Sequence, residues 1–382
     1  MNGKNFECQA QIFYNDDRET KEDHSRMPFL FISSTEDRAG RSLITWVLAR
    51  RLAERGLRVG FMKPFGTNPV FMDGQWVDHD AVLIKEVLKL QEPVDQICPF
   101  LVSEEGWKGK TDEDMAEELQ SLARGLSREK DIFMIMGSRH IFFDEPSCPI
   151  PDVALITTLN ADLLLINRVR NTSRSVYSIL FAKSMLRDRI KGVILNRIPP
   201  ERMHEVQNHM IPTLINKEIP VTAVLAENPA LSYRSLGEIR EILEGEVLCG
   251  KGELTRPVGS VTVGTTDLRG ELVLFKRVYN KVILLIPFSL DKEMKAQAAC
   301  RSVAGILLTG GRRPADPILK AAERNDVPLI LVEGDTFSTM ERLEASPPRI
   351  SARDEAKARI LTDLMDQGGQ LEAFVQTLMP PA

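Results

Sequence analysis

The sequence predicts an α/β protein: a parallel sheet with helices on both faces, followed by a smaller α/β domain. Three observations predict it. Short, wholly apolar runs alternate with helical patterns from Phe29 to Leu243, which is how strands buried on both faces read. The stretch FLFISSTEDRAGRSLITWVLARRLAERGLRVGFMKPFG, residues 29–66, is strand, polar loop, helix and strand, one βαβ unit. A second, shorter series of such runs begins after the glycines of Gly245–Gly250, and 382 residues are enough for two or three domains.

Taken in order, residues 1–26 are polar, with an almost fully charged run from Asn15 to Asp23, and read as a disordered tail. Residues 27–248 form the first domain. Phe29–Ile32 is a strand; Leu43, Trp46 and Val47 give the next segment a helical face, and Gly56 stops it before the strand Leu57–Met62. Asp78 and Asp80 precede a helix over Ala81–Leu90, where carboxylates suit the helix dipole. Met115, Leu119, Leu122 and Leu126 stripe a helix over Thr111–Leu126. Strands follow at Ile132–Met136, Ala161–Asn167, Lys191–Arg197 and Ile219–Leu225, with helices at Ser173–Leu186 and Leu231–Leu243. The second domain, residues 249–350, has strands at Asn280–Pro287, Ala304–Thr309 and Val327–Val332 and helices at Asp291–Ala299, Asp316–Arg324 and Thr339–Leu343. Residues 351–382 are a helical extension.

Composition excludes some function classes. The net charge is −5 and no basic run exceeds the pair Arg312-Arg313, so nucleic acid is not an expected partner. Five scattered cysteines with no CxxC spacing point to neither zinc nor a disulfide framework. No apolar run is long enough to span a membrane and no secretory signal opens the chain, so a cytoplasmic protein is expected.

The chemistry-bearing stretch is the loop Ser33–Ser42. A phosphate-binding loop needs inward backbone N–H groups, a helix N-terminus, a cation and a hydroxyl. Gly40, Arg41 and Ser42 stand where a terminal Gly-Lys-[Ser/Thr] belongs; Ser34 replaces the first glycine and Arg41 the lysine. The run Ser34-Thr35-Glu36-Asp37-Arg38-Ala39-Gly40-Arg41-Ser42, with Lys63-Pro64 after the second strand, resembles the long-spaced phosphate loop of the dethiobiotin synthetase family. From about Pro28 to about Leu343 the chain resembles the N-terminal, non-catalytic part of long bacterial phosphate acetyltransferases, whose second domain is the DRTGG domain.

The resemblance implies a P-loop NTPase-like sheet and a DRTGG-like second domain. It implies nucleotide contacts from Ser34, Thr35, Gly40, Arg41, Ser42, Lys63 and Asn196, with Asn196 reading adenine through its paired donor and acceptor. It implies Mg²⁺ at Ser42 and Asp80, with ATP or ADP as ligand and Lys63 as the catalytic cation of an active member. In the second domain it implies a small-ligand turn at Thr309, Gly310 and Gly311. The chain departs from the pattern where the strand-end acid is Met136 and where the other turn of the second domain reads Pro287-Phe288-Ser289-Leu290.

Arg41 and Met136 replace groups that matter most for phosphoryl transfer, and an arginine fork is not interchangeable with a threaded lysine. The expectation is therefore a regulatory protein that binds an adenine nucleotide or small metabolite and has little or no turnover. An ATP-dependent ligase or ATPase is the first alternative. A non-catalytic scaffold or subunit is the second, with a protein partner on the tail and last helices. Acetyl transfer is not expected, and self-associating relatives make a homo-oligomer the expectation.

Overall fold

Residues 29–102, 111–142, 150–263, 282–287, 303–346, 348–367 and 370–379 are described by a computed structural model, and the chain divides into two units. The N-terminal tail, the helix expected over Asp291–Ala299 and the turn residues Phe288–Leu290 lie outside the described residues. Unit 1 comprises Met1–Glu227 and Ala352–Ala382; unit 2 comprises Asn228–Ser351.

Unit 1 is built on a six-stranded sheet. Its strands are β1 (Phe29–Ser34), β2 (Val59–Met62), β7 (Ile132–Met136), β8 (Asp162–Arg168), β9 (Ile190–Ile198) and β10 (Val221–Ala226). The order is β10-β9-β8-β1-β7-β2 and every pairing is parallel. That accounts for the unbroken apolar runs: β1 and β7 are buried almost end to end, and Phe31, Phe133, Ile135, Leu163 and Leu165 join one core. The helices α1 (Arg41–Glu54), α2 (His79–Leu88), α3 (Asp112–Leu126), α4 (Asp152–Thr158) and α5 (Thr172–Leu186) connect the strands. Because β1 lies between β8 and β7, the loop after it opens at the middle of the carboxyl edge, where ligands of open parallel sheets bind.

Between β2 and α2 the chain forms a short strand β3 (Phe65–Gly66) and a hairpin of β4 (Pro69–Met72) and β5 (Gln75–Asp78); β3 pairs with β6 (Phe100–Leu101). The hairpin turns at Asp73-Gly74, both at positive φ, the conformation an Asp-Gly pair favours. Its Phe71 and Trp76 are exposed and meet edge to face.

Unit 2 holds a mixed sheet of β11 (Arg234–Ser235), β12 (Glu246–Cys249), β13 (Pro257–Val263), β14 (Val282–Pro287), β15 (Gly305–Thr309) and β16 (Leu329–Val332), in the order β11-β13-β14-β15-β16-β12. Only β15 and β16 pair in parallel. Helices α6 (Leu236–Leu243), α7 (Asp316–Arg324) and α8 (Thr336–Ala345) complete it. Unit 2 begins at Asn228, upstream of the glycines at which the sequence places the junction. The reason is pairing: β11 and β12 are edge strands of the second sheet, and Leu236, Ile239 and Leu243 of α6 fill its core.

Residues 352–382, an extension in the sequence, are part of unit 1. Helix α9 (Glu355–Asp366) packs on α1 and α10 (Gln370–Thr377) on β10. Ala358, Leu361, Met365, Leu371, Phe374 and Val375 are buried. Three ion pairs, Arg50–Glu355, Arg51–Asp366 and Arg55–Glu372, tie α1 to the two helices.

Candidate functional site

The loop after β1 ends at Gly40, whose φ of 92° is left-handed and which stands as the N-cap of α1. No side chain caps α1, and its first turn holds no acid. The start of α2, by contrast, is closed by Asp78 and that of α3 by Thr111. A helix start left with its N–H groups uncapped is suited to an anion.

Gly40 is required twice over. A Cβ there would stand 2.6 Å from Asn196 Nδ2, in a backbone conformation that L side chains rarely adopt. Gly40→Ala is expected to cost about 1–2 kcal/mol of stability, the usual penalty for a left-handed non-glycine residue. Urea unfolding checks it, and an unchanged midpoint would contradict this account of the loop.

Asn196, near the end of β9, holds the loop down. Its Nδ2 donates to the Ala39 carbonyl at 2.7 Å and its Oδ1 accepts from the Arg197 N–H at 2.9 Å. Thr35 is fixed similarly: its N–H donates to the Ile166 carbonyl and its hydroxyl accepts from Asn167 Nδ2 at 2.7 Å. The Ser34 hydroxyl donates to the Glu36 carbonyl at 2.8 Å and the Arg139 carbonyl at 3.2 Å. Neighbouring strand ends thus shape the loop from both sides.

Arg41 points across the sheet edge. Its two terminal nitrogens donate to the carbonyls of Gly137 at 2.9 Å and Ser138 at 2.7 Å, the residues just after β7. Burial lowers the pKa of this guanidinium, against the pull of Asp152 and Asp80. Asp152 is a site residue that the motif pattern does not single out. It is 2% exposed at the start of α4, accepts from the Ser33 hydroxyl at 2.5 Å and from the Ser138 N–H at 3.0 Å, and burial pushes its carboxyl pKa up. Gly137 leaves room for it, since a Cβ there would lie 2.0 Å from Asp152 Oδ2. So a carboxylate does stand beside the end of β7, supplied by the following helix while Met136 is buried in the core. The signal for it was Pro151-Asp152, a helix-start pair.

Lys63, just beyond β2, is 1% exposed. Its Nζ donates to both Asp78 oxygens at 2.9 Å and to Asp80 Oδ2 at 2.6 Å. The remaining Asp80 oxygen accepts from the Ser42 hydroxyl at 2.7 Å. The result is one chain, Asp78–Lys63–Asp80–Ser42, running from the start of α2 to the start of α1. Burial opposes the Lys63 charge, but Asp78 and Asp80 outweigh it and raise its pKa. Burial likewise opposes the Asp80 charge, and Lys63 with Ser42 outweighs that and holds its carboxyl below the usual range. Asp78 also caps α2 through the Ala81 N–H at 3.0 Å, so it has two duties where the sequence offered one.

Ser42 and Asp80 present hard oxygens to each other, the donor type Mg²⁺ takes. Among the described residues no group of three or more His, Cys, Asp and Glu is placed to hold a metal. Ser42 and Asp80 could hold such an ion with water and ligand phosphates completing its shell.

The turn Thr309–Gly311 ends β15 in unit 2. Gly310 and Gly311 have φ of 87° and 67°, and their N–H groups donate to the carbonyls of Gly334 and Val332. The Thr309 and Thr336 hydroxyls are 3.0 Å apart. These bonds tie the turn to the one after β16 and leave neither glycine N–H for a ligand.

A family model described as "AAA domain" matches residues 29–235, more than half the chain, and one described as "DRTGG domain" matches 238–346. A phosphate acetyltransferase of Synechocystis sp. is 24% identical over 367 residues, covering 91% of this chain and 52% of that protein. The ATP-dependent dethiobiotin synthetase BioD of Clostridium kluyveri is 21% identical over 226 residues, covering 55% of this chain and 90% of that protein. The chain spans about half the length of the phosphate acetyltransferases it matches. Among solved structures, the MinC:MinD cell division protein complex of Aquifex aeolicus gives a TM-score of 0.34 at 14% identity, over 53% of this chain and 83% of that one. Among the described residues no helix is long and apolar enough to cross a membrane. The chain belongs to the AAA domain family, as a dethiobiotin synthetase-like P-loop domain followed by a DRTGG domain.

Proposed function

We propose that this protein is a regulator that binds an adenine nucleotide with Mg²⁺ at its P-loop and turns it over slowly or not at all. One observation carries the reading: the two cations of the motif, Arg41 and Lys63, are already engaged by protein oxygens. Arg41 is held by the Gly137 and Ser138 carbonyls, and Lys63 by Asp78 and Asp80. Phosphoryl transfer depends on positive groups aimed at the charge that builds on the transferring phosphoryl, and removing one such contact costs about 10²–10³ in rate. Binding asks less: the uncapped start of α1 at Gly40 supplies backbone donors without either cation. Asn196 clamps Ala39, so its service to an adenine ring would require releasing the loop.

Calorimetric titration with MgATP and MgADP, alongside phosphate release from the same sample, tests the reading. Micromolar binding is expected, weakened by Ser42→Ala, with turnover far below the ~1 per second at the slow end of ordinary enzymes. Turnover at that rate would favour an ATP-dependent ligase or ATPase. No heat at millimolar nucleotide would remove both nucleotide readings and favour a scaffold. Arg41→Lys with Met136→Glu adds a gain-of-function arm, because hydrolysis appearing in the double variant would mark those two positions as what suppresses it.

A further inference from the structure

Four arginines gather on the side of the loop away from Lys63. Arg38 is in the loop itself, exposed and at a φ of 57°. Arg168 ends β8, in register with Asn196 of β9, and Arg170 follows two residues on. Arg197 follows Asn196 at a φ of 52° and donates to the Arg38 carbonyl at 3.3 Å. Among the described residues, Glu36 pairs with Arg170 at 3.3 Å, and Glu227 follows β10. Arg168 is half-buried, and its side chain makes no hydrogen bond or close ion pair among the described residues.

Such a cluster is costly to hold. Burial, then repulsion from Arg170 and Arg197, lowers the pKa of Arg168; burial lowers that of Arg197, with Arg170 and Arg38 adding to it against Glu227. Partly desolvated guanidinium groups that repel one another are stabilised by an anion that takes several of their N–H donors at once. Phosphate fits best, because it accepts the planar arginine fork through two oxygens while offering others to neighbouring arginines. Carbonyl fixation of Arg197 on the loop and the left-handed backbone of Arg38 and Arg197 are built into the fold, so the cluster is held in place by main chain as well as by side chains.

We infer that Arg38, Arg168, Arg170 and Arg197 form a second anion site for the phosphate group of a small phosphorylated metabolite, separate from the P-loop nucleotide. None of the four arginines is among the residues assigned to the nucleotide, although Arg38 lies within the same loop and Arg197 follows Asn196. A ligand there would touch the outer wall of the P-loop through Arg38 and Arg197, so its binding and that of the nucleotide would be coupled.

Inorganic pyrophosphate, titrated calorimetrically with EDTA present and then again at saturating ADP, is the probe. The wild-type protein is expected to bind it in both conditions. Arg168→Gln with Arg197→Gln should weaken it at least tenfold at unchanged far-ultraviolet circular dichroism. Arg170→Gln, a change at an exposed position that carries little folding risk, should weaken it severalfold. Pyrophosphate binding within twofold of wild type in both variants would overturn the proposal, as would no binding by the wild type at millimolar concentration. Complete displacement of pyrophosphate by ADP would overturn the claim of a separate site. Failure of ADP to bind, with arginine-dependent pyrophosphate binding intact, would instead strike only the nucleotide reading.

Discussion

Lys63→Met is expected to destabilise unit 1 by about 3–5 kcal/mol at neutral pH, the cost of leaving buried charge without its partner. The methionine keeps the apolar stem, so lost packing is a minor part. What remains is Asp78, fully buried, facing Asp80 with no cation between them. Adjacent buried carboxylates cannot both stay ionised cheaply, so one takes up a proton. This fixes the sign of the pH dependence. In the wild type the Asp80 pKa is depressed, so its contribution is complete above the unfolded value of about 3.9 and is lost as pH falls below it. In the variant the carboxyl pKa is raised, so the penalty is complete above that raised value and disappears as pH falls toward the unfolded one. The gap between the two proteins should be widest near pH 7 and narrow toward pH 4. Urea denaturation across that range reads it directly, and a gap independent of pH would mean that the network matters through packing alone. The same result bears on binding experiments: a Lys63 variant that loses nucleotide affinity has also lost stability, so Ser42→Ala is the cleaner probe of the site.

Phe374→Ala should cost about 3–5 kcal/mol, as large-to-small changes at buried aromatics do. Phe374, on α10, is 5% exposed, and its ring occupies the space that Gly192 of β9 leaves open; a Cβ on Gly192 would stand 3.0 Å from it. All three tryptophans fall within residues 1–227, so their fluorescence during urea unfolding follows unit 1 and not unit 2. An unaltered transition would show that the C-terminal helices are accessory to unit 1. A lowered midpoint would show that residues 352–382 complete the sheet that carries the loop. That matters for function, because α9 and α10 are tied through Arg50, Arg51 and Arg55 to α1, whose N-terminus faces the phosphate loop.

Much of the fold was legible because its signals are local. Apolar runs such as those of β1 and β7 read as strands buried on both faces, and the alternation with helices is enough for a parallel sheet. The loop was legible for the same reason: Gly40, Arg41 and Ser42 are consecutive, and their spacing from β1 is a covalent fact. The Asp73-Gly74 hairpin could also have been read locally, from a turn pair between apolar residues. The helix expected over Leu231–Leu243 begins at Leu236, because Arg234 and Ser235 pair with β13 instead.

The sequence by itself determined the α/β class, the two domains and the position of the phosphate loop, since each follows from periodicity or from neighbours along the chain. Tertiary structure alone decided what the charged groups do. Lys63 meets Asp78 and Asp80 across a hairpin, Arg41 meets carbonyls 96 and 97 residues away, and Asp152 reaches Ser33 across 119 residues. A charge seeks a partner within a few ångströms in space, and which partner arrives there depends on sheet order and not on spacing along the sequence. The return of the last two helices to the first unit was hidden for the same reason: amphipathic stripes such as Leu361 and Met365 on α9 or Leu371 and Val375 on α10 state that a face will be buried and are silent about against what.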